Sequence, residues 1–384
     1  MTDVQKCFIA IIKDVVIGGG LPEDFEICDL KELYRLAEIQ DMAHIIAYGL
    51  KKHNLIDLDT ELWKQCYNKQ YSLAQYRVAN LEYEYERVCK VLEEAEIDYL
   101  PLKGAVIRPL YPEPWMRVSC DIDILVHEED LQKAENVLIN KLGYTLEHKD
   151  SKYGHHDHIK SQNGFIIEMH FSLTDRNVKA RVFSDDVWNR VELFNGTRHQ
   201  YVMNNSMFYL FHILHAAIHF KEGGCGIKAV LDTFFINHKL DINSNNCKEI
   251  LEKSDLHKFA LILECISEKW FSDSYTDRYD TVEEYILSGG VYGSENHYAA
   301  WQAETNGKSL SYYVKRTFPK YEFMRQRYSE LDNKPFLLPY FWIKRIYSAL
   351  SEKDKNRTEH EIKTVWLEKE KSKKIKMLFD ELDL

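Results

Sequence analysis

One stretch of sequence decides the fold of this 384-residue chain, and it is Cys120-Asp121-Ile122-Asp123-Ile124-Leu125-Val126. Its apolar residues predict a β-strand, and because side chains alternate along a strand, Asp121 and Asp123 share one face. Two neighbouring carboxylates repel each other there. A divalent cation relieves the repulsion, since hard cations such as Mg²⁺ prefer oxygen ligands. The stretch therefore predicts a metal site on a strand.

Two further segments extend this site. A second predicted strand, Gly164-Phe165-Ile166-Ile167-Glu168-Met169-His170-Phe171, offers a third carboxylate, that of Glu168. Upstream, Leu100-Pro101-Leu102-Lys103-Gly104-Ala105 predicts a strand that enters a Lys-Gly turn and then a helix. Since a helix N-terminus directs backbone N–H groups at anions, the three segments together predict a site for a metal-bound triphosphate.

The composition is that of a folded protein with an acidic surface. Hydrophobic residues make up 45% of the chain, charged residues make up 29%, and the net charge is −11. Because nucleic acids are bound largely through their phosphates, this charge argues against an extended nucleic-acid surface. It leaves room only for a local basic pocket.

The cysteine pattern predicts a reducing compartment. The eight cysteines form no CxxC pair, which favours buried, reduced thiols over a disulfide framework or a zinc ribbon. We expect Cys120 to point into the core, on the strand face opposite Asp121.

The N-terminal sequence shows no signal peptide, and no segment reaches the length of a membrane span. We therefore expect a cytoplasmic protein without a membrane partner.

The periodicity of apolar residues divides the chain into three regions. We predict a helical N-terminal region over residues 1–78, an α/β core over 79–200 and a helical C-terminal region over 201–384. In the core, strands are expected over residues 99–102, 119–126, 155–160 and 165–171. Together with the helices between them, these strands predict an α/β sheet of mixed direction.

Turn and cap signals place the ends of several elements. Asn163-Gly164 predicts a hairpin turn between the last two strands, and Gly143 predicts the end of a helix. A long helix over residues 73–95 is expected to expose its glutamates, including Glu84, to solvent. Residues 248–270 have a helical period throughout.

The central segments resemble a known family. The matching residues are Leu102-Lys103-Gly104-Ala105, Leu110-Tyr111-Pro112, Arg117, Asp121–Val126 and Glu168-Met169-His170. They look like the uncharacterised nucleotidyltransferases, a family within the DNA polymerase β-like superfamily. The resemblance is concentrated in residues 97–175 and continues weakly through His215, His219, Lys228, Asp232, Arg316-Thr317-Phe318-Pro319, Leu338-Pro339, Trp342 and Arg345.

The resemblance implies an α+β fold, with a nucleotidyltransferase-type mixed sheet, flanking helices and largely α-helical N- and C-terminal regions. Two features depart from the wider superfamily. Lys103-Gly104-Ala105 stands where Gly-Ser usually follows the first strand, and the gap from Gly104 to Asp121 is longer than the common one. Both features are usual in this particular family, and they bear on how the triphosphate is bound.

The resemblance also implies a reaction. It is the transfer of a nucleoside monophosphate from a nucleoside triphosphate such as ATP to a hydroxyl or phosphate acceptor, assisted by two Mg²⁺ or Mn²⁺ ions. The candidate catalytic residues and metal ligands are Asp121, Asp123 and Glu168. The candidate nucleotide-binding residues are Lys103, Gly104 and Arg117, of which Arg117 could instead pair with an acidic neighbour.

Histidines near Glu168 are candidate substrate contacts. His170 lies two positions after Glu168, shares its face and is expected either to contact substrate or to orient Glu168. The strand that carries His156 and His158 is expected to line the mouth of the site, with one or the other histidine contacting phosphate or acceptor. The cluster Tyr153-Gly154-His155-His156-Asp157-His158 has zinc binding as its less favoured interpretation.

Two later segments supply further substrate candidates. His215 and His219 have the spacing of the HExxH zinc proteases, but Ala216 replaces the essential glutamate and argues against that chemistry. We expect these histidines to contact substrate instead. Lys228 and Asp232 lie four residues apart and are expected to form an ion pair or, alternatively, to bind the acceptor.

The acceptor stays open at this level. The acidic net charge favours a small molecule or a protein over a long nucleic acid, although a tRNA end in a local pocket is compatible with it. Two alternatives come from other functional classes. One is a catalytically silent nucleotide-binding protein, and the other is a toxin-like regulatory protein whose partner docks on the amphipathic segment 359–384.

Overall fold

The structure is a computed structural model and describes residues 1–148, 155–174, 187–272, 279–290, 318, 320–321, 324, 328–331, 334–349 and 369–384. Several residues of the sequence analysis lie outside these ranges, namely Tyr153, Gly154, Arg316, Thr317, Pro319 and 359–368. Over the ranges covered, none of the helices is long and apolar enough to span a lipid bilayer.

Two compact units divide the chain. The first comprises residues 1–218 and 225–291, and the second comprises residues 219–224 and 292–384. The first unit holds both β-sheets. In the second unit, Met324, Leu331 and Phe341 form a small apolar core. The domain limits expected at residues 78 and 200 stay a prediction.

The main sheet has five strands in the order β1-β2-β5-β4-β3. They are β1 Tyr99–Pro101, β2 Asp121–Val126, β3 Thr145–His148, β4 His156–Lys160 and β5 Ile166–His170. β2 and β5 are parallel, whereas the other three pairs are antiparallel. The prediction of a mixed sheet is confirmed. A separate two-stranded sheet pairs β6 Val191–Leu193 with β7 Tyr201–Met203.

Helices precede and follow the sheet along the chain. Those of the first unit before the sheet are α1 Asp3–Val16, α2 Leu30–Ile39, α3 Ala43–Lys52 and α4 Asn68–Glu94. Between strands lie α5 Gly104–Ile107 and α6 Leu131–Leu142. The remaining described α-helices are α7 Asn205–Glu222, α8 Gly226–Lys239, α9 Ser244–Lys253, α10 His257–Phe271, α11 Asp280–Gly289, α12 Leu338–Ala349 and α13 Lys369–Glu381.

Local sequence signals explain several of these boundaries. Thr2 and Gln5 form a capping box at the start of α1. Gly143 ends α6 with a φ of 69°, a left-handed conformation that glycine adopts at little cost. Gly164, with a φ of 87°, allows the tight turn between β4 and β5. The predicted helix end at Gly143 and the predicted turn at Asn163-Gly164 are confirmed.

The alternation of β2 gives the sheet two different faces. Ile122 and Ile124 belong to a buried cluster that also contains Val88 of α4 and Leu138 of α6. Because neighbouring residues of a strand point to opposite faces, Asp121 and Asp123 are directed away from this core. Burial of the apolar face therefore fixes which way the carboxylates point.

Two expectations about α4 and its surroundings are wrong. Glu84 is fully buried, accepts hydrogen bonds from Tyr144 and Asn163 and pairs with Arg87 at 3.2 Å. It links α4 to the turn before β5 instead of facing solvent. Cys120 is exposed, because it lies one residue before β2 begins and strand alternation does not yet apply to it.

The segment 248–270 is also not one helix. α9 ends at Lys253 and α10 starts at His257, with Asp255 between them at a φ of 59°. The Leu256 N–H donates to the Leu251 carbonyl at 2.9 Å and closes the end of α9. This break contains neither glycine nor proline. The sequence therefore carries no residue that would have signalled the end of a helix there.

Candidate active site

Polar side chains from three neighbouring strands meet on the face of the sheet opposite the core. Asp123 of β2 lies directly opposite Glu168 of β5, and Glu168 in turn lies opposite His158 of β4. In the next row, His170 of β5 lies opposite His156 of β4. Since directly opposed residues project to the same face, parallel pairing of β2 and β5 brings together residues far apart in sequence.

Lys103 brings a positive charge to this row. Its Nζ lies 2.7 Å from Asp123 Oδ1 and 3.7 Å from Glu168 Oε2. The residue occupies the turn after β1 with a φ of 41°, in the left-handed region that favours glycine. Burial alone would lower the pKa of Lys103, but Asp123 and Glu168 outweigh it and raise that pKa. The ammonium group is thus held charged between two carboxylates.

His170 contacts the same two carboxylates. Its Nε2 lies 3.0 Å from Asp123 Oδ1 and 3.4 Å from Glu168 Oε2, and its side chain is only 2% exposed. Although burial opposes it, hydrogen bonding to Asp123 and Glu168 raises the pKa of His170. With both oxygens on one side of the ring, Nε2 carries a proton in either ionisation state of the ring.

The two aspartates of β2 differ in their electrostatics. Burial and the neighbouring Asp123 and Glu168 carboxylates raise the pKa of Asp121 to about 6. Burial also disfavours the charge of Asp123, but Lys103 and His170 hold the pKa of Asp123 well below its usual range. Asp121 therefore carries negative charge that its surroundings only partly compensate.

Gly104 allows a close approach of chain segments beside the carboxylates. A Cβ atom at this position would lie 3.0 Å from Ser119 Oγ, so the glycine brings the start of α5 against the segment that precedes β2. Arg108 Nη2 donates to the same Ser119 Oγ at 2.9 Å, and its Nε donates to the Arg117 carbonyl at 3.2 Å. Sequence analysis missed Arg108, although its place four residues after Gly104 puts both on one helix face.

Arg117 is committed to an acidic partner. Its Nε and Nη2 donate to the two carboxylate oxygens of Asp232, each at 2.8 Å, and Tyr111 donates to Asp232 at 2.7 Å. Despite burial, Asp232 raises the pKa of Arg117, and Arg117 lowers the pKa of Asp232. The bidentate pair joins the segment before β2 to α8.

Lys228 also differs from expectation. It pairs with Asp41 and donates to the Val118 carbonyl at 3.2 Å, while Asp232 pairs with Arg117. The predicted ion pair between Lys228 and Asp232 is therefore wrong. Lys228 and Asp232 belong to two separate ion pairs, and both residues contact the segment before β2.

The β4 histidines lie beside the carboxylates, as the sequence predicts. His156 Nε2 and His158 Nε2 are 2.8 Å apart, and the two rings are stacked. His158 Nε2 lies 3.9 Å from Glu168 Oε1. Burial and the nearby His170 lower the pKa of His156 to about 4, so this ring is neutral at physiological pH.

The described contacts of the α7 histidines are with residues other than the carboxylates. His215 packs beside Phe211, with ring centroids 6.1 Å apart, and His219 belongs to the second unit. His212 Nε2 makes a 2.8 Å hydrogen bond with Thr233 Oγ1 of α8. The described geometry thus brings together Lys103, Asp123, Glu168, His156, His158 and His170, with Asp121 at the edge.

One of three comparisons with known proteins gives a match. A sequence model of a family described as uncharacterised nucleotidyltransferase matches residues 28–272 of the chain. No curated protein and no solved structure matches the chain significantly. The matched range contains all the strands of the main sheet and the polar face that they share.

Proposed function

Because the chain belongs to this family of uncharacterised nucleotidyltransferases, we propose that it transfers a nucleoside monophosphate from a nucleoside triphosphate to an acceptor hydroxyl or phosphate. One observation carries the proposal. Asp123 and Glu168 lie directly opposite each other on parallel strands, with Asp121 on the same strand face as Asp123. Three carboxylates from two strands distant in sequence thereby meet beside the Lys103-Gly104 turn.

These residues fit a divalent cation, Mg²⁺ or Mn²⁺. Asp123 and Glu168 already place carboxylate oxygens within 4.8 Å of each other. Burial and the neighbouring carboxylates raise the pKa of Asp121, and a cation would neutralise the negative charge that they disfavour. We propose that Asp121, Asp123 and Glu168 hold two ions, which when bound would stabilise the charge that develops on the attacking and leaving oxygens.

The chain's own residues would position the triphosphate. Gly104 opens the start of α5, where backbone N–H groups can face phosphate oxygens. Lys103 is close enough to the carboxylates for its ammonium group to contact a phosphate bound among them. Arg117 stays a candidate nucleotide ligand, although the Asp232 carboxylate already engages it.

The acceptor would enter from the β4 side of the sheet. His158 and His170 both lie near Glu168, so they can orient that carboxylate as it accepts a proton from the acceptor hydroxyl. His156, His215, His219, Lys228 and Asp232 stay candidate substrate contacts. With a net charge of −11, we propose a small molecule or a protein as acceptor.

Labelled nucleotide transfer tests this proposal. The purified chain is incubated with α-³²P-labelled ATP, GTP, CTP or UTP, Mg²⁺ or Mn²⁺, and cell extract as the source of acceptor. We expect a labelled product with the wild type and with the Glu129→Gln control, an exposed acidic residue outside the site. The Asp121→Asn/Asp123→Asn variant should lose it.

Two outcomes argue against the proposal. Equal labelling by the double variant would show that these carboxylates do not act in the reaction. Binding of Mg²⁺-nucleotide without transfer to any acceptor fraction would favour the catalytically silent alternative.

A further inference from the structure

A cluster of histidines adjoins the carboxylates but has a different chemical character. His155, His156 and His170 each offer a ring nitrogen, and these nitrogens lie within 4.8 Å of one another. The ring centroids are 4.4 Å apart for His155 and His156 and 4.8 Å apart for His156 and His170. Since imidazole nitrogen suits zinc-like transition metals better than Mg²⁺, the cluster differs in metal preference from the carboxylate site.

Two nitrogens of the cluster are buried without a partner. They are His156 Nδ1 and His170 Nδ1. Burying a polar atom without a hydrogen bond is unfavourable, so both atoms call for an explanation. A metal ion is one partner that such imidazole nitrogens accept.

The proton positions favour metal binding by His170. Its Nε2–H faces Asp123 Oδ1 at 3.0 Å and Glu168 Oε2 at 3.4 Å, so in the neutral ring the lone pair lies on Nδ1. A histidine that donates one N–H to a carboxylate and offers its other nitrogen is the usual arrangement around protein-bound metals. When His156 donates from Nε2 to His158, its lone pair also lies on Nδ1.

We propose that His155, His156 and His170 form a site for a zinc-class transition metal, separate from the carboxylate site. Three protein ligands leave one position of a tetrahedral ion open to water or substrate. Zinc–nitrogen bonds of about 2.0–2.1 Å place the ligand nitrogens roughly 3.3 Å apart, so nitrogens as far as 4.8 Å apart would have to approach one another on binding. The site does not depend on nucleotidyl transfer, since it is defined by metal binding.

His170 would connect this site to the carboxylates. One of its nitrogens would bind the metal while the other holds Asp123, so an ion at the site would fix the ring and, through it, the Asp123 side chain. The metal would therefore have a positioning effect on the proposed nucleotidyltransferase site without replacing its Mg²⁺.

Cobalt spectroscopy tests the proposal. The untagged full-length chain is stripped with chelator, transferred to buffer with excess Mg²⁺ to occupy the carboxylates, and titrated with Co²⁺. We expect one equivalent to give the strong visible absorption of four-coordinate Co²⁺, and one equivalent of Zn²⁺ to abolish it. His155→Ala should weaken the affinity by at least about tenfold.

Control variants keep the test specific. His238→Ala, which removes an exposed histidine of α8, should bind Co²⁺ like the wild type. Asp121→Asn should also keep the cobalt spectrum even if it abolishes nucleotide transfer, so failure of one proposal does not imply failure of the other. Circular dichroism checks folding, and His155→Gln replaces His155→Ala if the alanine variant unfolds.

Two results would overturn the site. The first is a wild-type chain that gives no visible cobalt band. The second is a folded His155 variant whose band and affinity equal those of the wild type.

Discussion

Asp121 and Asp123 are chemically identical and lie two positions apart on one strand, but they ionise differently. Asp123 contacts both Lys103 and His170, which hold its pKa well below the usual range. Burial and two neighbouring carboxylates raise the pKa of Asp121 to about 6. One aspartate is thus permanently charged, whereas the other titrates just below neutral pH.

Replacing Asp121 should have opposite effects with and without metal. In chelator, Asp121→Asn should raise the melting temperature, since it removes a repulsive charge. That charge lowers the free energy of unfolding by on the order of 2 kcal/mol, and each kcal/mol shifts the melting temperature by about 2–4 °C. In Mg²⁺ the wild type should gain stability that the variant does not. Differential scanning fluorimetry with Glu129→Gln as control measures both, and a lower melting temperature of the variant in chelator would contradict the electrostatic argument.

The affinity for divalent cations should depend on pH. The Asp121 pKa is raised in the folded chain, so below about pH 6 its carboxyl is protonated and a cation must displace that proton. We therefore expect Mn²⁺ affinity to fall by up to about tenfold per pH unit below pH 6. Electron paramagnetic resonance titrations at pH 5.0 and 7.5 measure this. Equal affinities at both pH values would be inconsistent with a role for Asp121.

At the scale of elements, buried ion pairs fix the segment that precedes β2. Arg117 pairs with Asp232 of α8, and Lys228 of the same helix pairs with Asp41. Arg117, Asp232 and Lys228 are largely removed from solvent, whereas Asp41 is partly exposed, so the first three depend most on their partners. These pairs set the position from which β2 enters the site.

Removing one partner should therefore be costly. Asp232→Asn leaves the buried Arg117 guanidinium without its carboxylate and should reduce the free energy of unfolding by about 3–5 kcal/mol. Glu249→Gln breaks an exposed pair with Lys253 on α9 and should leave the free energy of unfolding almost unchanged. Urea denaturation compares the two, and similar losses for both variants would contradict the assigned importance of burial.

Local elements were predictable, whereas their partners were not. The β2 strand, the Gly143 cap and the Gly164 turn depend on residues within a few positions, and the structure confirms them. The partner of Lys228 lies 187 residues away, and periodicity carries no information on such contacts. Arg108 is different, because its partners Ser119 and Arg117 are close in sequence and its spacing from Gly104 was a local signal.

The carboxylate row itself illustrates the same difference. Alternation along each strand predicts that Asp121 and Asp123 share a face and that Glu168 and His170 share another. The pairing of β2 with β5, which merges these two faces, is a tertiary fact. The position of Lys103 between the carboxylates depends on that pairing and on a positive φ that is unusual for lysine.

At the scale of the whole molecule, net charge limits the partners. A chain of charge −11 has no general attraction for nucleic-acid phosphates. We expect a fluorescent DNA or RNA duplex to bind more weakly than about 10⁻⁵ M at physiological salt, as measured by fluorescence anisotropy. Submicromolar binding that weakens steeply with added salt would instead indicate an extended basic surface.

Lys103 affects how the binding of a cation and the binding of a nucleotide influence each other. Its ammonium group already contacts Asp123 and Glu168. A cation that binds these carboxylates must therefore compete with Lys103. Free Mg²⁺ offers the displaced ammonium no new anion, whereas a nucleotide bound with it offers phosphate. Cation and nucleotide should therefore raise each other's affinity. Lys103 would thus let the site distinguish Mg²⁺-bound nucleotide from free Mg²⁺.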